Sequence, residues 1–382
     1  MAKWTDVGNI WTTLREVDVS VIRAEAERPF SIACVGHVNA IETVNRLLHS
    51  GADRYGPTGI DPVELVPLDQ VAARAGAIRA ATMLIIGVDT RVALPQDQAD
   101  SFSLISLGVP ALVVLLGGAQ LPQGMSLPSA VTASSVVIAD PAALDAPDKL
   151  ATAVLDRLPA ELQLAAARRL PGLRSLYTRE LIGKSSFSNA TYAFASGLPE
   201  QIPVLSVPFA MADLIILTKN QAIMVYRMAL AFGAPPDFQD RIVEIAPVIG
   251  GGFIWRQLAR SLVGLVPLWG FIPKIGIAYG GTYATGVVAW RWFAYGEMLS
   301  ADQVRKISAD AMGIGRQRAK EIVDQARKLK PKPAPPALGE TKRLADGAAA
   351  ELPTQNISFV DRIRKLIPTR RKSTPTATDK PK

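Results

Sequence analysis

The chain has 382 residues, 49% of them apolar, with a single cysteine and two histidines. That length and composition suit two ordinary domains with real cores plus a tail, and they exclude a chain disordered throughout. The formal charge of +8 is concentrated: residues 330–382 hold twelve Lys or Arg against five Asp or Glu, which leaves about +1 for the first 329 residues. A fold that grips a phosphate backbone carries its cations on the folded face among aromatics, so this charge does not point to nucleic acid.

Met-Ala-Lys-Trp-Thr-Asp is followed by charged residues rather than an apolar core, so no secretory signal is expected. Trp4, Val7, Trp11, Leu14, Val17 and Val21 recur at three- and four-residue steps, the pattern of an amphipathic helix over residues 1–28 that Pro29 ends. Short apolar runs then follow at Phe30–Val35, Val63–Leu68, Met83–Val88, Ala111–Leu116 and Ser134–Ala139. Runs hydrophobic on both faces suit buried parallel strands. With helix-compatible stretches at 40–49, 69–81, 97–107 and 142–158, they predict a doubly wound α/β domain over 29–158, of P-loop NTPase-like type. Cys34 lies inside the first run, where a small buried core residue in a reducing cytoplasm is the reading.

A P-loop needs Gly, four residues, then Gly-Lys-Ser/Thr between a strand and a helix. Gly36-His37-Val38-Asn39-Ala40-Ile41-Glu42-Thr43 keeps the first glycine and the hydroxyl in register, but Ile41 replaces the second glycine and Glu42 the lysine. A carboxylate about 4 Å from a phosphate charge costs roughly 4 kcal/mol at a surface-like dielectric, where a lysine would stabilise by as much. After the third strand a GTPase carries Asp-x-x-Gly, whereas Asp89-Thr90-Arg91-Val92 keeps only the acid. After the fourth, Gly117-Gly118-Ala119-Gln120 stands where Asn-Lys-x-Asp would read guanine. Gly36, Thr43 and Asp89 are therefore the remaining candidates of a degenerate nucleotide site. The alternative is that the Gly-x6-Thr spacing is chance.

After Pro159 the strand signal disappears, and residues 159–329 read as a hydrophobic, all-α module. Between Ser261 and Trp290 the only charge is Lys274. Thirteen apolar positions at 261–273 and sixteen at 275–290 are each short of the roughly 20 that a span requires. Arg260 and Arg291 bracket them as a membrane hairpin with snorkelling ends would require. Gly276, Gly280 and Ala284 form a small-residue ridge with Gly281 beside it, suited to close helix packing in lipid or to a homo-oligomer contact. Trp290, Trp292, Phe293 and Tyr295 resemble an interfacial aromatic belt. A buried hairpin of a soluble bundle has the same composition, and that reading stays open. Asp213, Lys219 and Asn220 read as a structural polar cluster at a helix start.

Three ordered stretches, Ala212–Met224, Ile245–Phe253 and Ile277–Gly286, resemble the YcjF-type bacterial domain of unknown function, which is found fused behind Era-like GTPase domains. The resemblance covers roughly residues 160–298. It implies an α/β partner domain in front and membrane association, on the cytoplasmic face of an inner membrane, and it supplies no reaction.

From 330 to 382 the chain is rich in Pro, Ala, Lys and Thr, which predicts a disordered basic tail. Within it Phe359, Ile363, Leu366 and Ile367 line one side of a helix-compatible segment among Arg362, Arg364 and Lys365, a pattern that binds anionic lipid. His37 and His49 have no second ligand at a metal-binding spacing and read as loop or helix-end residues. The reading is a noncatalytic, membrane-associated scaffold or regulatory protein on a pseudo-GTPase domain, with lipid and an unidentified protein as partners and with no nucleic acid, metal or cofactor. A divergent GTPase using GTP and magnesium, and a soluble cytoplasmic adaptor, are the rivals.

Overall fold

A computed structural model of the chain describes residues 19–92, 96–118, 129–197, 206–235 and 271–328. The first compact unit extends to Glu321, and a second covers Ile322–Lys382; only the end of one helix is described in the latter, and the tail from 330 lies outside the described residues, as do residues 1–18.

Helix α1 (Ser20–Glu27) is the described end of the expected N-terminal helix and buries Ile22 and Ala26. Five parallel strands follow: β1 (Ile32–Gly36), β2 (Val63–Pro67), β3 (Met83–Asp89), β4 (Ala111–Leu116) and β5 (Ser135–Ile138), in the order β2-β1-β3-β4-β5. Ile32 lies opposite both Val63 and Met83, and Gly36 opposite Pro67 and Gly87. The two-residue period of a strand sends alternate side chains to opposite layers. Ile32, Cys34, Met83, Ile85, Leu112 and Val114 enter one core; Ala33, Val35, Leu84, Ile86, Val113 and Leu115 enter the other.

Helices α2 (Val38–Leu48) and α6 (Ala146–Leu155) cover the first layer. The second is closed by Ile78 of α3 (Ala75–Ala80), by partly buried residues of the 3-10 turn Phe102–Leu107, and by Val131 of α5 (Ser129–Ala133). The predicted helix at 97–107 is a short α4 (Gln96–Ser101) running into that 3-10 turn. This strand order is that of flavodoxin-like doubly wound sheets, whose switch point lies between the carboxyl ends of β1 and β3.

Beyond Pro159 come α7 (Gln163–Arg169), α8 (Pro171–Gly197), α9 (Ser206–Ala231), α10 (Phe271–Tyr295) and α11 (Ala301–Lys328). Pro171 opens α8 and holds Leu170 extended, at φ −115° and ψ 96°, which separates α7 from α8. The core continues through this point: Leu173, Tyr177, Tyr226 and Leu230 belong to the same buried cluster as Ile32 and Ile85. The change at 158/159 is a change of secondary structure inside one core.

The expected membrane hairpin covers 261–290, of which 271–290 is described. Among the described residues no helix is long and apolar enough to cross a membrane. The apolarity of α10 is that of a helix enclosed by protein on several sides. Ile182 of α8 fills the space over Gly286, while Gly276 and Gly280 lie against the backbone of α11 at Gly315–Arg316 and Ala311. The glycine ridge is thus covered by the same chain, which takes the face expected for lipid or a second copy. The motif at 245–253 and the hairpin segment at 261–270 lie outside the described residues.

Candidate functional site

The segment Gly36–Thr43 is not a loop. Gly36 ends β1, His37 alone links it to the helix, and α2 begins at Val38. The amides of Ala40 and Ile41 donate to the His37 carbonyl at 2.9 and 3.0 Å. Those donors belong to a helix turn rather than to a cradle for phosphate oxygens. A Cβ on Gly36 would strike the Gly87 carbonyl oxygen, so this glycine serves strand packing. Ile41 is 1% exposed and belongs to the core beneath α2, which is why no glycine stands there. The Thr43 hydroxyl, a candidate of the degenerate nucleotide site, donates to the Asn39 carbonyl at 2.8 Å and accepts from Arg46 at 3.0 Å.

On the other side of the switch point, Asp89 ends β3. Its carboxylate accepts from the Arg91 backbone N–H at 3.0 Å, from Arg91 Nε at 2.9 Å and from Nη2 at 2.7 Å. These hydrogen bonds hold the Asp89 carboxyl below the usual carboxylate range. The Arg91 stem lies directly over Gly117, whose φ of +101° and missing side chain permit the approach. Thr90 is buried and donates toward the carbonyls of Leu116 and Gly118 at 3.0 and 3.2 Å, tying the β3 and β4 ends together. Asp89 is thus neutralised by its own neighbour. Val92, in place of the phosphate-sensing glycine, is 58% exposed, and Gln120 lies outside the described residues.

The helical candidates are brought together, but for packing. Gly281 and Ala284 are buried, and Thr285 donates to the Gly281 carbonyl at 2.9 Å. Of the expected aromatic belt, Phe293 is fully buried, Tyr295 is 65% exposed, and Trp292 lies under the Arg54 guanidinium at 4.7 Å while its carbonyl accepts from Arg54 Nη1 at 2.9 Å. Trp290 meets Tyr295 edge-on at 5.8 Å. Asn220 lies well inside α9 rather than at its start and donates to Asn189 Oδ1 at 2.7 Å; the side chain of Asp213 is outside the described residues.

Two features escaped the sequence reading. One is a buried polar seam: Asn189 donates to Thr282 at 2.8 Å, Gln221 donates to the same hydroxyl at 3.1 Å, and Thr282 donates to the Ala278 carbonyl at 2.8 Å. Its signal was present in α8, where Arg174, Thr178, Ser186 and Asn189 recur at helical spacing on one face. The other is a set of arginines at helix C-termini. Arg168 Nη1 reaches the carbonyls of Leu230 and Ala234 at 2.8 and 2.9 Å, where the α9 dipole favours a cation. Arg174, 1% exposed, donates to the carbonyls of Ala52, Ala167 and Arg168 and to Asp53 Oδ1 at 2.7–3.1 Å.

A cleft of ≈ 630 Å³ opens at the amino end of the sheet, opposite the switch point. It is walled by the end of α1 with Pro29 and Phe30, by the loop Thr58–Pro62, and by Arg168 and Arg169.

His37 and His49 sit at the two ends of α2; His49 Nδ1 is 2.9 Å from the Asn45 carbonyl and Nε2 is 3.4 Å from Asp61. Among the described residues no group of three His, Cys, Asp or Glu forms a metal site. Cys34 is buried in β1, and burial pushes its thiol up to about 12. No family model matches the chain, and no curated protein matches it.

Proposed function

We propose that this protein is a noncatalytic scaffold or regulatory protein whose α/β domain acts as a binding surface rather than as a nucleotide site. One observation carries the reading: at the switch point, where open α/β sheets bind ligands, the candidate nucleotide-site residues are engaged by the chain's own groups. Ile41 is in the core, Thr43 is bonded within α2, and Asp89 is claimed by Arg91. The Gly-x6-Thr spacing is, in this reading, a strand end followed by a helix, and no step depends on it. Titration of the full chain with a fluorescent GTP analogue and magnesium tests the proposal. Absence of saturable binding up to 100 µM, on the order expected for a functional site, is the predicted result. Micromolar binding abolished by Thr43→Ala would replace the scaffold with a divergent GTPase.

Membrane attachment, in this proposal, is peripheral and rests on the sequence of the tail. Phe359, Ile363, Leu366 and Ile367 beside Arg362, Arg364 and Lys365 suit an anionic surface. After lysis, the full-length protein is expected in the membrane pellet and released by high salt. Recovery in the supernatant at low salt would favour the soluble adaptor.

A further inference from the structure

The cleft at the amino end of the sheet carries chemistry that the scaffold reading leaves unused. Its volume of ≈ 630 Å³ lies in the range of small-molecule sites. Arg168 and Arg169 line it side by side. Among the described residues Arg168 commits only Nη1, to the end of α9, and Arg169 commits Nη1 and Nη2 to the carbonyls of Arg28 and Glu27 at 2.9 and 3.0 Å. Each guanidinium keeps its Nε–H and further donors, and Arg169 Nε stands 3.9 Å from where a Cβ on Gly59 would be. Gly59 has φ +78°, and a side chain there would project toward that nitrogen.

Among the described residues no acid of the cleft forms an ion pair with these arginines, although the Glu27 charge acts on both guanidiniums. Asp61 faces His49 at 3.4 Å. The same cleft is lined by the apolar Phe30, Pro29, Pro62 and Ile60; the Arg169 guanidinium lies over the Phe30 ring at 5.3 Å, and Ile60 is 89% exposed. An anion alone would meet Glu27, and a cation alone would meet two arginines. A molecule bearing both charges on an apolar body satisfies all three surfaces.

We propose that this cleft binds a zwitterion of the α-amino acid or short-peptide class with an apolar side chain. The carboxylate is taken by Arg168 and Arg169, the ammonium by Glu27, and the side chain by Phe30 and Ile60. Guanidinium–carboxylate recognition supplies orientation, and the buried apolar surface supplies affinity.

The test is calorimetric titration of the full chain with L-phenylalanine, phenylacetate and phenethylamine, together with amide chemical shifts of the ¹⁵N-labelled protein. L-Phenylalanine is expected to bind at least tenfold tighter than either singly charged analogue, with shifts confined to residues 26–30, 58–62 and 168–169. Arg168 also caps α9 and its loss can unfold the bundle, so the decisive variant is Glu27→Gln, whose exposed side chain holds no hydrogen bond among the described residues. It is expected to bring L-phenylalanine to within threefold of phenylacetate. No binding by 10 mM, equal binding of all three probes, or an unchanged preference in Glu27→Gln would each overturn the proposal.

Discussion

The two ends of the parallel sheet are built from similar parts and left in opposite states. At the carboxyl end, an arginine, an aspartate and a glycine meet as Arg91, Asp89 and Gly117, and they satisfy one another. At the amino end, arginines, acids and glycines meet as Arg168, Arg169, Glu27, Asp61 and Gly59, but each arginine gives only part of its donors to backbone carbonyls, and among the described residues neither pairs with Glu27 or Asp61. Residue type does not decide which end is open. It is decided by whether the complementary charge sits on the same short loop, two residues away, or on a different element whose backbone fixes the distance.

The largest effect is expected from attempting to reopen the carboxyl end. The double variant Ile41→Gly, Glu42→Lys restores the motif residues, yet it removes a core side chain and places glycine inside a helix. A loss of roughly 3–6 kcal/mol in urea denaturation, with no gain in nucleotide binding, is expected. Tight GTP binding by this variant would show that the loop can re-form and that the two ends differ by sequence alone.

Arg174→Met tests the other end. It leaves the carbonyls of Ala52, Ala167 and Arg168 and the Asp53 carboxylate without their shared partner. The Asp53 side chain is 34% exposed and can hydrate, so the cost falls on the carbonyls left unpaired, at about 1–3 kcal/mol each where they stay buried, read as a lowered urea midpoint. Loss of order in the loop 50–62 should follow in amide exchange. A near-neutral result would mean that the amino end is held by backbone packing instead.

Cys34 in β1 and Tyr177 in α8 report on the core beneath both ends. Burial raises each to about 12, from ordinary values of 9.0 and 10.0. Raised folded-state values mean that their contribution is complete below about pH 9 and is lost as pH climbs toward 12. Stability measured by denaturant should therefore fall over that window, and Cys34 should react with iodoacetamide at pH 8 only after unfolding. Rapid native-state labelling would contradict a closed core.

The smallest effect belongs to Arg91→Ala. The wild-type Asp89 carboxyl should titrate below 3.8, and the variant should return it toward that value, as followed by carboxyl NMR. Because the native value is depressed, the stabilisation is present above the ordinary carboxylate pKa and is lost as pH falls through the native one. An unmoved midpoint would mean that Arg91 does not hold the carboxyl.

How much was legible differs between elements for physical reasons. Apolar runs located all five described strands within one or two residues: β1, β3 and β4 are buried on both faces and admit no polar break, while the edge strands β2, with Glu64, and β5 are only partly buried. Ile41 was misread for the opposite reason: a residue in the register of a phosphate loop and a residue on the inner face of a helix look alike until the hydrogen bonds to His37 are seen. The α10 segment shows the same ambiguity, since burial by α8 and α11 and burial by lipid demand the same apolar side chains. The amino-end cleft had no sequence signal at all, because its residues come from positions 26–30, 58–62 and 168–169.

By itself the sequence determined a doubly wound parallel sheet followed by helices, since hydrophobic periodicity is local and each element carries its own pattern. Only the tertiary structure decided strand order, the engagement of Thr43 within α2 and of Ile41 in the core, the packing of the glycine ridge against α11, and the joining of distant arginines to helix ends. Those outcomes depend on which groups far apart in the chain share a distance, and no local pattern encodes that distance.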